Sequence, residues 1–172
     1  MQGWFLITHN FHGFQLVTEK LKALGVEVYS PTRCEVKKRR DCNAVRITEK
    51  QLFPGYLFLR FDFEQVHTTT ISDLPVVKGF VRFGNIPAIV SDAIIEDLKQ
   101  SLLLLPNQAV TCLELRNLPP DMQGAWSAIV EIKSELQRQA ALFSLLQKDH
   151  ERLLKLGNLP YSRICSSIDS DS

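Results

Sequence analysis

The four histidines are the first candidates for metal or acid–base chemistry, and their spacing offers little for either. His9 and His12 stand three residues apart at the end of an apolar segment with no carboxylate pair nearby, while His67 and His150 are isolated. A zinc centre needs three or four converging ligands, so an exposed loop explains His9 and His12 better than a metal does. The cysteines Cys34, Cys42, Cys112 and Cys165 form no CxxC pair and keep no regular spacing. That argues against a zinc ribbon or disulfide framework and for a reducing, cytosolic setting. Glu19, Glu27 and Glu35 are isolated carboxylates, and no GxSxG elbow, Walker loop, GxGxxG or HExxH motif is present. The chain is therefore not expected to be an enzyme, nor to need a metal or cofactor.

What remains points to binding. Lys37, Lys38, Arg39 and Arg40 form an unbroken basic run, readable as a solvated turn or as a phosphate contact. Tyr56, Phe58, Phe80 and Phe83 fall on two predicted strands, where alternation puts some of them on one face. Such a face is either ordinary core or an apolar groove for a partner helix.

The elements that must position these residues follow from the patterning. The 172 residues carry 20 Lys and Arg against 19 Asp and Glu, with 45% apolar and 23% charged side chains, which is globular usage for one domain and a small satellite. Gly3 to Thr8 reads as a buried strand. Phe14, Val17, Leu21 and Leu24 recur at helical spacing before Gly25, and Val26 to Ser30 alternates as a second strand ended by Pro31. Glu35 to Lys38 and Ala44 to Ile47 are the arms of an expected basic hairpin. Tyr56 to Phe61 and Phe80 to Phe83 are expected strands, with a short helix over 64–72 between them, and Ser91 is a candidate N-cap for a helix through Leu98. This predicts an α+β domain over residues 1–99, an antiparallel sheet flanked by helices, then a linker at 100–109.

The rest of the chain is patterned differently. No Gly or Pro occurs between Ala125 and Leu156, and Ile129, Ile132, Leu136, Ala140, Phe143, Leu146, Leu153 and Leu154 step mostly by three or four. A helical stripe results, and Ser134 with Gln137 has capping-box spacing, so one helix ends near Lys133 and another starts at Ser134. A helical hairpin is expected within a domain at 110–165, followed by a disordered tail at 166–172. The opening MQGWFLIT has no basic n-region or small-residue cleavage site, and no apolar run is long enough to span a bilayer. A soluble, cytoplasmic protein is expected.

Several of these residues carry a family resemblance. Trp4 with its strand, Tyr29 to Pro31, the run Leu52-Phe53-Pro54-Gly55-Tyr56-Leu57-Phe58, and Phe80-Val81-Arg82-Phe83-Gly84 with Pro87 resemble the N-terminal domain of NusG-type transcription elongation factors. His67-Thr68-Thr69-Thr70-Ile71 resembles the specialised RfaH branch of that family. Val110 to Val130, with Gly124, Ala128 and Ile129, is similar to the start of a KOW domain, and Arg138 through Leu146 to the RfaH segment that follows.

The resemblance implies an operon-specific antitermination factor that binds RNA polymerase across its cleft and suppresses pausing. Tyr56, Phe58, Phe83 and Leu98 would form the groove for the clamp, and His67, Thr68, Thr69 and Thr70 the second polymerase contact. Asn10, His12 and Lys20 would touch the nontemplate DNA strand. The C-terminal KOW-related domain would mask the groove as an α-helical hairpin through Ile129, Ile132, Leu136, Phe143 and Leu146, and convert to a β-barrel on release. A released barrel would bind a small-subunit ribosomal protein, and a monomer is implied. The alternative is a non-switching KOW-type nucleic-acid or ribosome binder.

The chain departs from that pattern in places. Phe11 and Ala23 occupy positions where the branch reads DNA with polar or basic side chains, and Pro75 occupies that of a family arginine. The family's interdomain pair would join Arg138 to the place of Lys50, leaving neighbouring Glu49 as the expected acidic partner.

Overall fold

The computed structural model describes residues 2–103 and 125–155. The remaining parts of the expected linker and C-terminal domain (104–124 and 156–165) and the expected tail at 166–172 lie outside the described residues.

In chain order the elements are β1 (Gln2–His9), a 3-10 turn (Phe11–Gly13), α1 (Phe14–Ala23), β2 (Glu27–Tyr29), β3 (Thr32–Lys38), β4 (Val45–Gln51) and β5 (Tyr56–Asp62). There follow α2 (Thr68–Ser72), β6 (Val77–Phe80), β7 (Arg82–Phe83), β8 (Ile86–Pro87), β9 (Ile89–Val90), α3 (Asp92–Leu103), α4 (Ala125–Glu131) and α5 (Glu135–Lys155). The main sheet runs β2-β5-β1-β6, with β9 also paired to β1, and every pairing is antiparallel.

β1 sits at the centre because its sequence cannot tolerate water on either side. Trp4, Phe5, Leu6 and Ile7 are four successive buried apolar residues, and alternation divides them between the two faces. The register sets Leu6 opposite Phe58 on one face, and Phe5 opposite Leu59 and Ile7 opposite Leu57 on the other. Phe5, Ile7, Leu57, Leu59 and Phe61 pack with Val17 and Leu21 of α1 and Ile71 of α2. Trp4, Leu6 and Phe58 pack with Ile94, Ile95 and Leu98 of α3 and with Trp126, Leu142 and Leu146 from α4 and α5. The result is three layers, helices on both sides of one sheet.

Local chemistry explains the boundaries. Gly25 adopts φ +76°, the left-handed conformation that ends α1 with little steric cost. Gly13 is required for another reason: a Cβ there would lie 1.9 Å from Val76 Cγ1, so only hydrogen fits between the 3-10 turn and the loop before β6. The β3–β4 ribbon is longer than its expected arms, pairing Thr32 with Gln51 through Lys38 with Val45. Lys37, Lys38, Arg39 and Arg40 are exposed at its far end.

Two expected elements are corrected. The strand expected over Phe80 to Phe83 is two short strands in different sheets, because the Val81 N–H turns to the Leu6 carbonyl (2.8 Å) and its own carbonyl accepts from Ala88 (2.8 Å). Phe80 packs beside Phe5 and Phe61, while Phe83, three residues on and so on the other face by alternation, joins the opposite cluster. The helix expected over 64–72 is only α2, since helix formation waits for the cap at His67. The expected linker also begins inside α3, which continues to Leu103.

Candidate functional site

The sheet face that carries Tyr56 and Phe58 is where most of the expected binding residues converge. These two side chains, two positions apart on β5, share one face by strand alternation. Phe58 is buried against Tyr29, with ring centroids 6.2 Å apart, and Tyr56 is half-buried. Leu98 is fully buried on α3, and Phe83 is half-buried against the same cluster. At the rim, Lys99 Nζ stands 5.6 Å from the Trp4 ring and 5.4 Å from that of Tyr29. Burial and the nearby Glu96 carboxylate push the Tyr29 phenol up to about 12.

α4 and α5 cover this face. Phe143 meets Tyr56 edge to face at 5.4 Å, and Trp126 packs on Phe53 at 6.2 Å while its indole N–H donates to the Ile94 carbonyl at 2.8 Å. Ile129, Val130, Leu142, Leu145 and Leu146 complete the buried contact, with Ile132 half-buried in the turn between the two helices. Leu136, expected in this stripe, is corrected: it is 79% exposed. The buried residues of α5 are Arg138, Leu142, Leu145, Leu146, Asp149 and His150, and Leu136 lies about 200° around the axis from Arg138 at roughly 100° per residue.

Among the polar attachments of the cover, two use buried charged side chains of α5. Arg138 donates from Nε to the Leu52 carbonyl at 2.7 Å and from a terminal nitrogen to the Ile132 carbonyl at 2.9 Å. Glu49, the partner expected for Arg138, is exposed on β4. The second attachment is Asp149, whose side chain is fully buried. One carboxylate oxygen accepts the Ser91 N–H at 2.9 Å; the other accepts the Ser91 hydroxyl at 3.1 Å and Arg152 at 2.9 Å. Ser91 also caps α3, accepting the Ile94 N–H at 3.4 Å on its hydroxyl. The anion therefore rests at the amino end of α3, where the helix dipole favours negative charge.

Against known proteins, the family model described as "Transcription termination factor nusG" matches residues 2–99. The chain belongs to the NusG family. A solved structure titled "Domain interaction in Thermotoga maritima NusG" is similar to this chain at 23% identity and TM-score 0.36. That likeness covers 60% of this chain and 56% of the other. NusG factors act in transcription, and the matched span holds both sheet faces, α1, α2, the first two turns of α3 and the Tyr56–Phe58 surface.

Within the NusG-family domain the other expected residues are separated. His67 caps α2, its Nδ1 accepting the Thr69 N–H at 3.3 Å and lying 2.8 Å from the Thr69 hydroxyl. Thr69 and Thr70 are exposed and Thr68 is half-exposed, while Ile71 anchors the helix in the core on the opposite side of the sheet from Phe58. Asn10 and His12 are exposed at the 3-10 turn and Lys20 on α1. Among the described residues no cluster of three or more His, Cys, Asp or Glu is arranged to hold a metal, and no helix is long and apolar enough to cross a membrane.

Sequence reasoning missed Trp126, Asp149 and His150. Trp126 extends the stripe by one turn before Ile129 and Val130. Asp149 and His150 fall on the stripe three to four residues after Leu145 and Leu146, so polar types on an apolar face were the available signal. His150 packs on Phe83 at 5.3 Å, and its Nδ1 is buried without a hydrogen-bond partner among the described residues. Burial holds its pKa below the usual histidine value, against the opposing pull of Asp149 and Glu151.

Two outcomes follow from this geometry. Asp149→Ala strands the half-buried Ser91 donors and Arg152, and should cost about 2 kcal/mol in urea denaturation, the scale for donors that lose a charged acceptor. Asp149→Asn should cost less. Because the folded pKa of His150 lies below its unfolded value, the unfolded chain takes up the proton first. Stability is then complete above about pH 6.5 and falls as pH drops from the unfolded toward the folded pKa. Thermal melts at pH 7.5 and 5.5 should show this loss, and His150→Gln should shrink it.

Proposed function

We propose that this chain is an operon-specific elongation and antitermination factor of the RfaH type. Its apolar face around Tyr56, Phe58, Phe83 and Leu98 takes a helical segment of the RNA polymerase clamp once α4 and α5 leave it. The observation that carries this reading is the edge-to-face contact of Phe143 on Tyr56, at 5.4 Å. The same aromatic surface cannot hold Phe143 and a polymerase helix together. The C-terminal segment is then a KOW-related domain in an autoinhibited helical hairpin, with a β-barrel as its released form.

His67, Thr68, Thr69 and Thr70 make the second polymerase contact. Their exposure at the start of α2, on the far side of the sheet from the groove, suits a factor that bridges two parts of the enzyme. Asn10, His12 and Lys20 touch the nontemplate strand, and the basic end of the β3–β4 ribbon adds salt-dependent phosphate attraction. A released barrel recruits a small-subunit ribosomal protein, and the factor acts as a cytoplasmic monomer. Moving such a mask from 1:99 to 99:1 in favour of release needs about 5.5 kcal/mol of differential binding, which polymerase and DNA together must supply.

Polymerase binding and terminator read-through measured side by side test the proposal. Phe143→Ala should weaken the mask and raise polymerase binding, whereas Tyr56→Ala should lower it at least about tenfold, the range of a lost anchor residue. Read-through should rise with the wild-type chain on its target template. Unchanged binding by a folded Tyr56→Ala variant, or increased termination, would defeat the proposal.

A further inference from the structure

The β3–β4 ribbon is a sheet of two strands, seven residues each, that no third strand joins among the described residues. At about 3.3 Å per residue its arms are about 23 Å long. The root is tied down: the Leu52 N–H donates to the Pro31 carbonyl at 2.8 Å, and Arg33 donates to the Val130 carbonyl at 3.2 Å. The ladder runs past the ends of the strands, since the Arg39 N–H donates to the Ala44 carbonyl at 3.1 Å. The ribbon is thus hydrogen-bonded to its tip, although every residue from 37 to 47 is exposed.

The side chains on this outer half are of two kinds. Val45 and Ile47 are 51% and 67% exposed, and as residues two apart on β4 they share one face. Single apolar residues at a surface need no explanation, but two side by side on a projecting ribbon leave a contiguous patch in water. Lys38 stands directly opposite Val45 and so lies on the same face, and Arg39 and Arg40 follow at the tip. Among the described residues none of these three cations takes part in an ion pair, and Asp41 is the one carboxylate between Lys37 and Arg46. The occupant of such a surface must be anionic and must also present apolar groups to Val45 and Ile47.

The major groove of DNA meets both demands. It is about 12 Å wide and admits a two-stranded β-ribbon, phosphates line both of its walls, and each thymine places a methyl group on its floor. An acidic protein segment would match the charge, but nothing in its shape calls for a ribbon two strands wide and free on both edges. We infer that the outer half of the β3–β4 ribbon enters the major groove of double-stranded DNA, with Val45 and Ile47 against thymine methyl groups and Lys38, Arg39 and Arg40 on the phosphates. This duplex contact is separate from the single-strand contact of Asn10, His12 and Lys20. Its place in a transcription complex rests on the reading proposed above; the binding itself does not.

Fluorescence anisotropy of the full chain at 50 mM salt tests the assignment with four probes: a labelled 20-base-pair A·T-rich DNA duplex, the same duplex with deoxyuridine for thymidine, one of its single strands, and the matching RNA duplex. The DNA duplex should bind most tightly. Loss of the thymine methyl groups should weaken it about fourfold, the scale of one buried methyl, and Ile47→Ala should erase that difference. Arg39→Ala with Arg40→Ala should lower the slope of log affinity against log salt by about 2. The RNA duplex should bind more weakly, because its major groove is too deep and narrow for the ribbon. Equal affinity for the thymidine and deoxyuridine duplexes, or for DNA and RNA duplexes, would overturn the groove assignment. A single strand binding as tightly as the duplex, or an unchanged salt slope in a double variant with wild-type circular dichroism, would overturn it too. Absence of duplex binding would do the same and leave an acidic protein segment as the ribbon's partner. Polymerase is absent from every arm, so these results stand or fall apart from the clamp-binding reading.

Discussion

Trp4, Phe5, Leu6 and Ile7 pass through the middle of the sheet with no polar residue among them, and both of their faces have to be kept from water. At roughly 25 cal/mol per Å² of apolar area, leaving either face open is costly, so the rest of the chain is arranged as two covers. The first, α1 with α2, lies early in the chain and packs on Phe5 and Ile7. The second is composite: α3 shields part of the Trp4–Leu6–Phe58 side, and α4 and α5 complete it. A NusG-family domain thus depends for part of one face on helices that lie beyond the family-matched residues.

That dependence makes the second cover conditional. Its apolar contacts would suit many partners, whereas its polar ones suit one arrangement. Asp149 must meet the amino end of α3, and Arg138 must reach the carbonyl of Leu52 just before the Pro54–Gly55 turn. Buried charges of this kind add little net stability over apolar packing, yet they penalise every misplaced register. They therefore fix where α5 lies, while Phe143, Leu142 and Leu146 supply the attraction. His150, buried against Phe83 beside this latch, makes the same contact sensitive to acid.

Much of the fold was legible because periodicity carries it. The apolar run at β1, the stripe of α1 ended by Gly25, the Ser91 cap and the break at Ser134 are local signals that tertiary contacts left in place. Where packing outranked local pattern, the reading failed. Phe80 to Phe83 looks like one strand, but the hydrogen bonds of Val81 to Leu6 and Ala88 divide it between two sheets. Leu136 looks like part of the covering stripe, yet the helix phase is set by Arg138 and Leu142, and Leu136 points to water. The role of Asp149 was illegible because its partner is the cap of a helix 58 residues away in sequence. The placing of Lys38 opposite Val45 depends on a ribbon register that no local motif announces.

The central claim is that α5 forms part of the same cooperative core as β1 and β5. Native-state hydrogen exchange on the full chain tests this most directly. If the claim holds, the amides of Leu142 to His150 are protected well above free-peptide rates and exchange together as one unit, because all are released when the shared face opens. Exchange of those α5 amides at near free-peptide rates, with β1 and β5 still protected, would contradict it.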